Sequence, residues 1–342
     1  MSSIREARSL WDKALGWHRE GHRVAWLTLV KVEGSAYRRP GAKMVMADHG
    51  HMQGTLSGGC LEGDLFGHAE KVMATGQASL HHYDLTEDEM WGLGIGCKGK
   101  VDIWIEPLNP DQPFWTTFGE ALQHDQALVW GAELPEGGRF FGGAEGAWTV
   151  FSEDQPPFKA VELLQSPRTT GVTDGWWWDI MRPPSRLVVA GAGHDAEPVA
   201  QLAHQAGFDV IVLDPRGHVN NAKHFPDAVH WVKAASEVDP GALTGSFWLI
   251  MNHHQSRDEE ALALAAQSQP KFVGVLGPKS RTQEMLAKTG VNPAGIPLHS
   301  PVGLDLGAES PREVAVSLVA ELMAAKNGTS GGSLNGSERI HR

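Results

Sequence analysis

Two cysteines stand in glycine-rich loops, and each has the surroundings of a working thiol. Cys60 lies in TLSGGCLEGDL (55–65), behind Ser57, Gly58 and Gly59 and at the expected start of a helix. Free amides at a helix N-terminus favour anions and lower a thiol pKa. Glu62 and Asp64, in the first turn, oppose that effect. Cys97 lies in GLGIGCKGKVDIWIEPL (92–108). There Gly92, Gly94, Gly96 and Gly99 would let backbone come close to a ligand, and Lys98 adds positive charge. A third loop, GSAYRRPG (34–41), followed by Lys43, offers Ser35, Arg38 and Arg39, the residue types of an anion site. On residue type alone the plainer reading stays open, with structural cysteines and solvated arginines.

A second constellation lies far along the chain. VVAGAGHDA (188–196) follows an apolar run and opens a helical pattern, and Asp214 closes the next apolar run. Gly191 suits a tight turn, and Gly193 would let backbone approach a pyrophosphate at a helix N-terminus. An acidic group at Asp214 can accept hydrogen bonds from ribose hydroxyls. Arg216, just past it, could hold a phosphate bidentately. His194 follows the glycine loop, and Asn252, His253 and His254 follow a later strand, so one histidine is expected to line the cleft at the sheet's carboxyl edge. A Rossmann fold follows from this pattern; a bound dinucleotide does not, because fold does not fix function.

The elements that must position these residues fall into two styles. Residues 4–19 read as an amphipathic helix, 22–34, 42–48 and 51–59 as strands, 58–76 as a helix, and 79–85 and 100–108 as strands. This gives an α+β domain over residues 1–110. Residues 111–182, rich in Pro, Gly and Trp, read as a β-rich connecting extension ending at paired prolines. Residues 183–326 alternate strands and helices, as a doubly wound parallel sheet requires. The closing helix starts with Ser310 as N-cap and Pro311 behind it. The polar tail, 327–342, is expected to be disordered. The fold class is therefore α/β, an N-terminal α+β domain plus a C-terminal Rossmann-like sheet.

Composition narrows the function. A net charge of −12 argues against nucleic acid and against anionic membrane. No apolar run approaches the roughly 18 residues a spanning helix needs. Two cysteines in 342 residues do not make a disulfide framework, which points to a reducing, cytoplasmic setting. The 13 tryptophans, three of them consecutive at 176–178, are expected in core and interface packing.

The three loops and the Rossmann unit, in this order, resemble the XdhC/CoxI family of accessory proteins for xanthine dehydrogenase and related molybdenum hydroxylases. The segments that carry the resemblance are VEGSAYRRPGAKM, GTLSGGCLEGDL, GLGIGCKGKVDIWIEPL, LVVAGAGHDAEPVAQLAHQAGFDVIVLDPR, FVGVLGPKSR and PVGLDLGAESPREVAVSLVAE. Two positions depart from the family pattern: Lys98 where glycine is common, and Ala36 where a second serine is frequent. The resemblance implies a maturation factor, with no turnover of its own. Such a protein binds the molybdenum cofactor, as molybdopterin or its cytosine dinucleotide form, and protects it during sulfuration. It then inserts the cofactor into a xanthine dehydrogenase-type apoenzyme, with a cysteine desulfurase as second partner. Cys60 and Cys97 are then the contacts to molybdenum or sulfur, since thiolates are soft ligands. Ser35, Arg38, Arg39, Ser57, Gly58, Gly59, Gly96, Gly191, Gly193, His194, Asp214, Arg216 and His253 complete the expected cofactor-binding set, and a homodimer is expected. The competing reading is an NAD(P)-dependent oxidoreductase using the Rossmann unit, for which His194 and His253 are loose candidates as base.

Overall fold

The computed structural model describes residues 3–85, 99–124, 126–135, 137–143, 148–151, 155–166 and 168–336. They divide into two units, Met1–Pro183 and Pro184–Arg342, with the division at the paired prolines.

In the first unit, β1 (Val24–Gly34) is central to a sheet because both its faces are apolar. Its neighbours are β2 (Lys43–Ala47), β3 (Met52–Gly54), β4 (Ser79–Asp84) and β5 (Gly99–Leu108), in the order β3-β2-β1-β5-β4. Ala25, Leu27 and Leu29 pack on one side against Leu65, Ala69 and Val72 of α2 (Glu62–Thr75). Val24 and Trp26 point to the other side, toward α1 (Ile4–Arg19) and α3 (Pro113–Leu122). The hairpin expected over 42–59 forms, but its second strand stops at Gly54, and residues 55–61 become the loop that carries Cys60.

The stretch expected as a connecting extension is instead the other half of this unit. After α3 come β6 (Leu128–Glu133), β7 (Arg139–Gly142), β8 (Trp148–Phe151), α4 (Ala160–Leu164), β9 (Thr170–Thr173) and β10 (Trp176–Met181), and the strands form a second five-stranded antiparallel sheet. The tryptophan run explains the difference. On β10, Trp177 faces a core shared with Trp26, Trp104, Trp115 and Trp130, while Trp176 and Trp178 face a second core with Phe140. A strand buried on both faces can carry three consecutive tryptophans, and its sheet cannot be a loose connector.

The second unit is doubly wound. Its strands are β11 (Ser185–Ala190), β12 (Phe208–Leu213), β13 (Val229–Trp231), β14 (Phe247–Ile250), β15 (Phe272–Val275) and β16 (Leu298–His299). All neighbours are parallel, in the order β13-β12-β11-β14-β15-β16. Counted from β11 this is the 3-2-1-4-5-6 order of dinucleotide-binding sheets, with its reversal between β11 and β14. Leu187 and Val189 pack against α5 (Ala196–Gln205) and α8 (Pro311–Asn327). Val188 and Ala190 pack against α6 (Gln255–Gln267) and α7 (Lys279–Thr289). Pro198 falls in the first turn of α5, where its missing N–H costs nothing. Ser310 and Glu313 form a capping box that starts α8. Among the described residues no helix is long and apolar enough to cross a membrane.

Candidate functional site

The Cys60 loop is shaped by one buried carboxylate. Glu62, on the first turn of α2, turns back over residues 55–61. Its Oε1 accepts from Thr55 Oγ1 at 2.9 Å, Ser57 N at 3.1 Å and Leu56 N at 3.2 Å. Its Oε2 accepts from Gly59 N at 2.9 Å, Leu61 N at 3.2 Å and the Ser57 hydroxyl. Leu61 N also donates to Ser57 Oγ at 2.8 Å, and Gly58 N to Thr55 Oγ1 at 3.0 Å. Burial pushes the Glu62 carboxyl up, but the hydrogen bonds from Ser57 and its neighbours outweigh this and bring it down to about 2. Sequence reading placed Glu62 as a charge opposing the thiol; the structure makes it the template of the loop.

This arrangement decides what the loop can present. The Ser57 hydroxyl and the amides of Gly58 and Gly59 are engaged inside the loop, so they set its shape. Gly58 and Gly59 run at φ +77° and +106°, which other residues rarely adopt. Cys60 itself is exposed. The thiol borders a small, mostly apolar pocket whose walls include Ala36, Tyr37, Leu61, Leu85 and Val101.

The first loop meets it there. Ser35 is exposed on this loop, and a side chain at Gly99 would lie 2.4 Å from the Ser35 carbonyl oxygen, so Gly99 must remain glycine for β1 and β5 to pair to their ends. Tyr37 covers Gly58, with its ring 3.4 Å from where a Cβ would be. Two of the cations here are bonded to carboxylates. Arg38 Nη2 donates to Glu6 Oε1 at 2.7 Å. Lys43 is buried and donates to Asp179 Oδ2 at 2.5 Å and to the Gly41 carbonyl at 2.6 Å. Arg39 is exposed on the same loop. Gly96 and Cys97 lie outside the described residues; the chain leaves the described part at Leu85 and re-enters at Gly99, and Leu85 N donates to the Gly99 carbonyl at 2.9 Å.

The second unit carries its own crevice, at the strand-order reversal. Gly191 follows β11 at φ +120°, and a Cβ there would lie 2.7 Å from the Met251 carbonyl oxygen and 2.8 Å from Asn252 N. Only glycine lets the loops after β11 and β14 cross this closely. Gly191→Ala is therefore expected to destabilise this unit by about 2–3 kcal/mol, from backbone strain and overpacking. Urea unfolding of the variant checks this, and an unchanged midpoint would contradict it.

Gly193 makes room for a side chain. A Cβ there would lie 2.5 Å from Asp195 Oδ1, and Asp195 Oδ2 meets His253 Nε2 at 2.6 Å. His253 adopts φ +56°, and the loop before it is braced by buried Asp258, which accepts from Asn252 N at 2.9 Å and Asn252 Nδ2 at 3.0 Å and is gripped by Arg281. Sequence reading gave neither Asp195 nor Asp258 a part. At the other end of the crevice Asp214 is fully buried. Its Oδ1 accepts from Arg216 N and Nε, both at 2.9 Å; its Oδ2 accepts from Ala192 N at 2.9 Å and Arg216 Nη2 at 2.6 Å. Burial would raise its pKa, but the hydrogen bonds from Arg216 and Ala192 hold it below the usual carboxylate range. The expected ribose acceptor and the expected phosphate ligand are thus bonded to each other. His194 lies on the other side of the glycine loop, exposed, with Nδ1 3.1 Å from Glu197 Oε1.

A two-sheet unit presenting a cysteine loop, joined to a Rossmann unit, defines a class of protein for which sequence comparison supplies the family. The profile of the XdhC and CoxI family matches residues 17–84, and that of the XdhC Rossmann domain matches residues 187–322. The chain belongs to the XdhC and CoxI family. Among its relatives is a probable xanthine dehydrogenase subunit of Bacillus subtilis (strain 168), 31% identical over 317 residues, which cover 87% of this chain and 92% of that protein. The molybdenum cofactor insertion chaperone PaoD of Escherichia coli (strain K12) is 23% identical over 311 residues, 90% of this chain and 84% of that one. A solved structure described as a xanthine dehydrogenase from Bacillus halodurans superposes with a TM-score of 0.81 at 29% identity, covering 97% of this chain and 98% of that one.

Proposed function

We propose that this chain binds the molybdenum cofactor, shields it while its sulfido ligand is installed, and delivers it to a xanthine dehydrogenase-type apoenzyme. A cysteine desulfurase and a second copy of the chain complete the proposed assembly. The observation that carries the reading is the exposed thiol of Cys60 on a loop whose own polar groups are satisfied by Glu62. A loop held this way, with its amides engaged internally, is left with the thiol as the donor it presents, and a soft donor suits a molybdenum–sulfur centre. The relatives named for xanthine dehydrogenase and for molybdenum cofactor insertion support the same reading.

The residues present fit the group unevenly. The exposed Cys60 suits the metal end, while the apolar pocket beside it is too small to enclose a ring. Phosphate recognition falls less to the first loop, where Arg38 and Lys43 are paired with carboxylates. Molybdopterin or its cytosine dinucleotide form would meet the exposed Ser35 and Arg39 on the same loop.

The sheet order also suits a nicotinamide nucleotide, but the crevice fits one poorly as it stands. Ribose hydroxyls would have to displace Arg216 from Asp214, and a pyrophosphate would meet the Asp195 carboxylate above Gly193. The proposal is tested by transfer. The chain, isolated from cells that make molybdopterin, is incubated with a cofactor-free xanthine dehydrogenase-type enzyme. Hydroxylase activity is expected to appear with the wild-type chain and to fall at least about tenfold with Cys60→Ala, as loss of a metal contact predicts. Tight binding and turnover of NAD(H), with no activation of the apoenzyme, would refute it.

A further inference from the structure

We propose that His194, Glu197 and His224 form a binding site for a zinc-type divalent cation in the Rossmann unit, independent of the cysteine loop. Three elements bring them together. His194 ends the glycine loop, Glu197 is on the first turn of α5, and His224 lies on the segment between β12 and β13. Both imidazoles converge on one atom: Nδ1 of His194 is 3.1 Å and Nδ1 of His224 is 2.9 Å from Glu197 Oε1. All three donor atoms lie within 4.8 Å of one another. A tetrahedral ion with bonds of about 2.0–2.1 Å holds its ligands about 3.3 Å apart, so small side-chain rotations would seat it.

The donor set and its surroundings point the same way. Two imidazoles and a carboxylate are a borderline ligand set that suits zinc better than calcium or magnesium. Three protein ligands leave a coordination position open, the arrangement of zinc sites that bind water or a ligand. The same three side chains line a cavity of about 510 Å³, with Asp227, Ser310 and Arg312 on its walls. That is the size of a small-molecule site. His224 is held by its neighbours, since its backbone N–H donates to the Asn221 carbonyl and the next residue, Phe225, is buried in the core. His194 is 90% exposed and can turn onto an ion.

Among the described residues one other trio has similar spacing, His22, Asp48 and His49. Its carboxylate is already bonded by Arg23 through N and Nε and by His22, which makes it the weaker site and a useful control.

The test is titration of the metal-free full-length chain with Co²⁺, read by visible d–d absorption, and with Zn²⁺, read by calorimetry. One site is expected whose affinity falls by more than about a hundredfold in Glu197→Ala and in His224→Ala, beyond the 10–100-fold that loss of a supporting partner gives. His194→Ala, at an exposed position that leaves the fold intact, is expected to weaken binding and shift the Co²⁺ spectrum. His49→Ala is expected to change nothing. No binding by the wild-type chain, undiminished binding in the Glu197 and His224 variants, or loss of binding only in His49→Ala would each overturn the proposal.

Discussion

Replacing Glu62 by alanine is expected to destabilise the first unit by about 3–5 kcal/mol and to abolish retention of the molybdenum cofactor. Six donors of the loop, from Thr55 to Leu61, point at this one carboxylate. Hydrogen bonds to a buried charged group contribute about 1.5–3 kcal/mol each, and donors stranded without a partner cost a further 1–3 kcal/mol, so several lost together far exceed a surface change. Glu62→Gln is expected to recover only part, because its amide N–H₂ must face other N–H donors. Denaturant unfolding gives the stability change. The labelling rate of Cys60, followed by peptide mass spectrometry, gives the loop's state and is expected to rise in both variants. Wild-type stability and labelling in Glu62→Ala would show that the carboxylate does not template the loop. The pH dependence has a definite sign. The folded carboxyl is held at about 2 against an ordinary 4.5, so its stabilisation is fully present above about 4.5 and is lost as pH falls from there toward 2.

Asp179→Ala is expected to cost about 3–5 kcal/mol, the cost of leaving a buried charge without its partner. Lys43 and Asp179 are 2% and 0% exposed, and they join the end of the first loop to β10 of the second sheet. Trp130 Nε1 also donates to Asp179 Oδ2 at 3.2 Å, and Lys43 lies over the Trp130 ring. Gly41 is required beside the pair, since a Cβ there would come within 2.8 Å of Asp179 Oδ1. The double change Lys43→Met with Asp179→Leu is expected to recover most of the loss, because apolar replacements of similar volume often match a buried ion pair. Thermal unfolding of the single and double variants decides this; equal losses in both would mean that the shape of the site, and not the unpaired charge, sets the cost.

Local pattern made much of this protein legible from its residues. The glycine loop, the Asp214 strand end and the alternation of apolar runs gave the Rossmann unit, because each is a short-range signal with a fixed period. The glycines around Cys60 marked a loop for the same reason, although the sequence pattern placed its start inside a strand. What pattern could not give was partnership across the chain. Lys43 looked like an anion ligand until its partner, 136 positions away, was in view. Asp214 and Arg216 looked like two separate ligands, although they are close enough to satisfy each other. Glu62 is the instructive case. Its spacing from Ser57 matches no standard capping box, so the sequence carried no signal that the side chain folds backward over its own loop. The tryptophans at 176–178 are core residues, as their type suggests, but the strand they open was not legible, since strict alternation is the usual sign of a strand and a strand buried on both faces has none.

The central claim is that this chain carries the molybdenum cofactor at the Cys60 loop, and retention tests it most directly. The chain and its Cys60→Ala and Glu62→Ala variants would be isolated from cells that make molybdopterin. Bound pterin would be measured by fluorescence after release and oxidation, and molybdenum by elemental analysis. Near-stoichiometric pterin and molybdenum are expected on the wild-type chain, with a loss of at least about tenfold in both variants. Absence of pterin from the wild-type chain, or equal retention in all three, would contradict it.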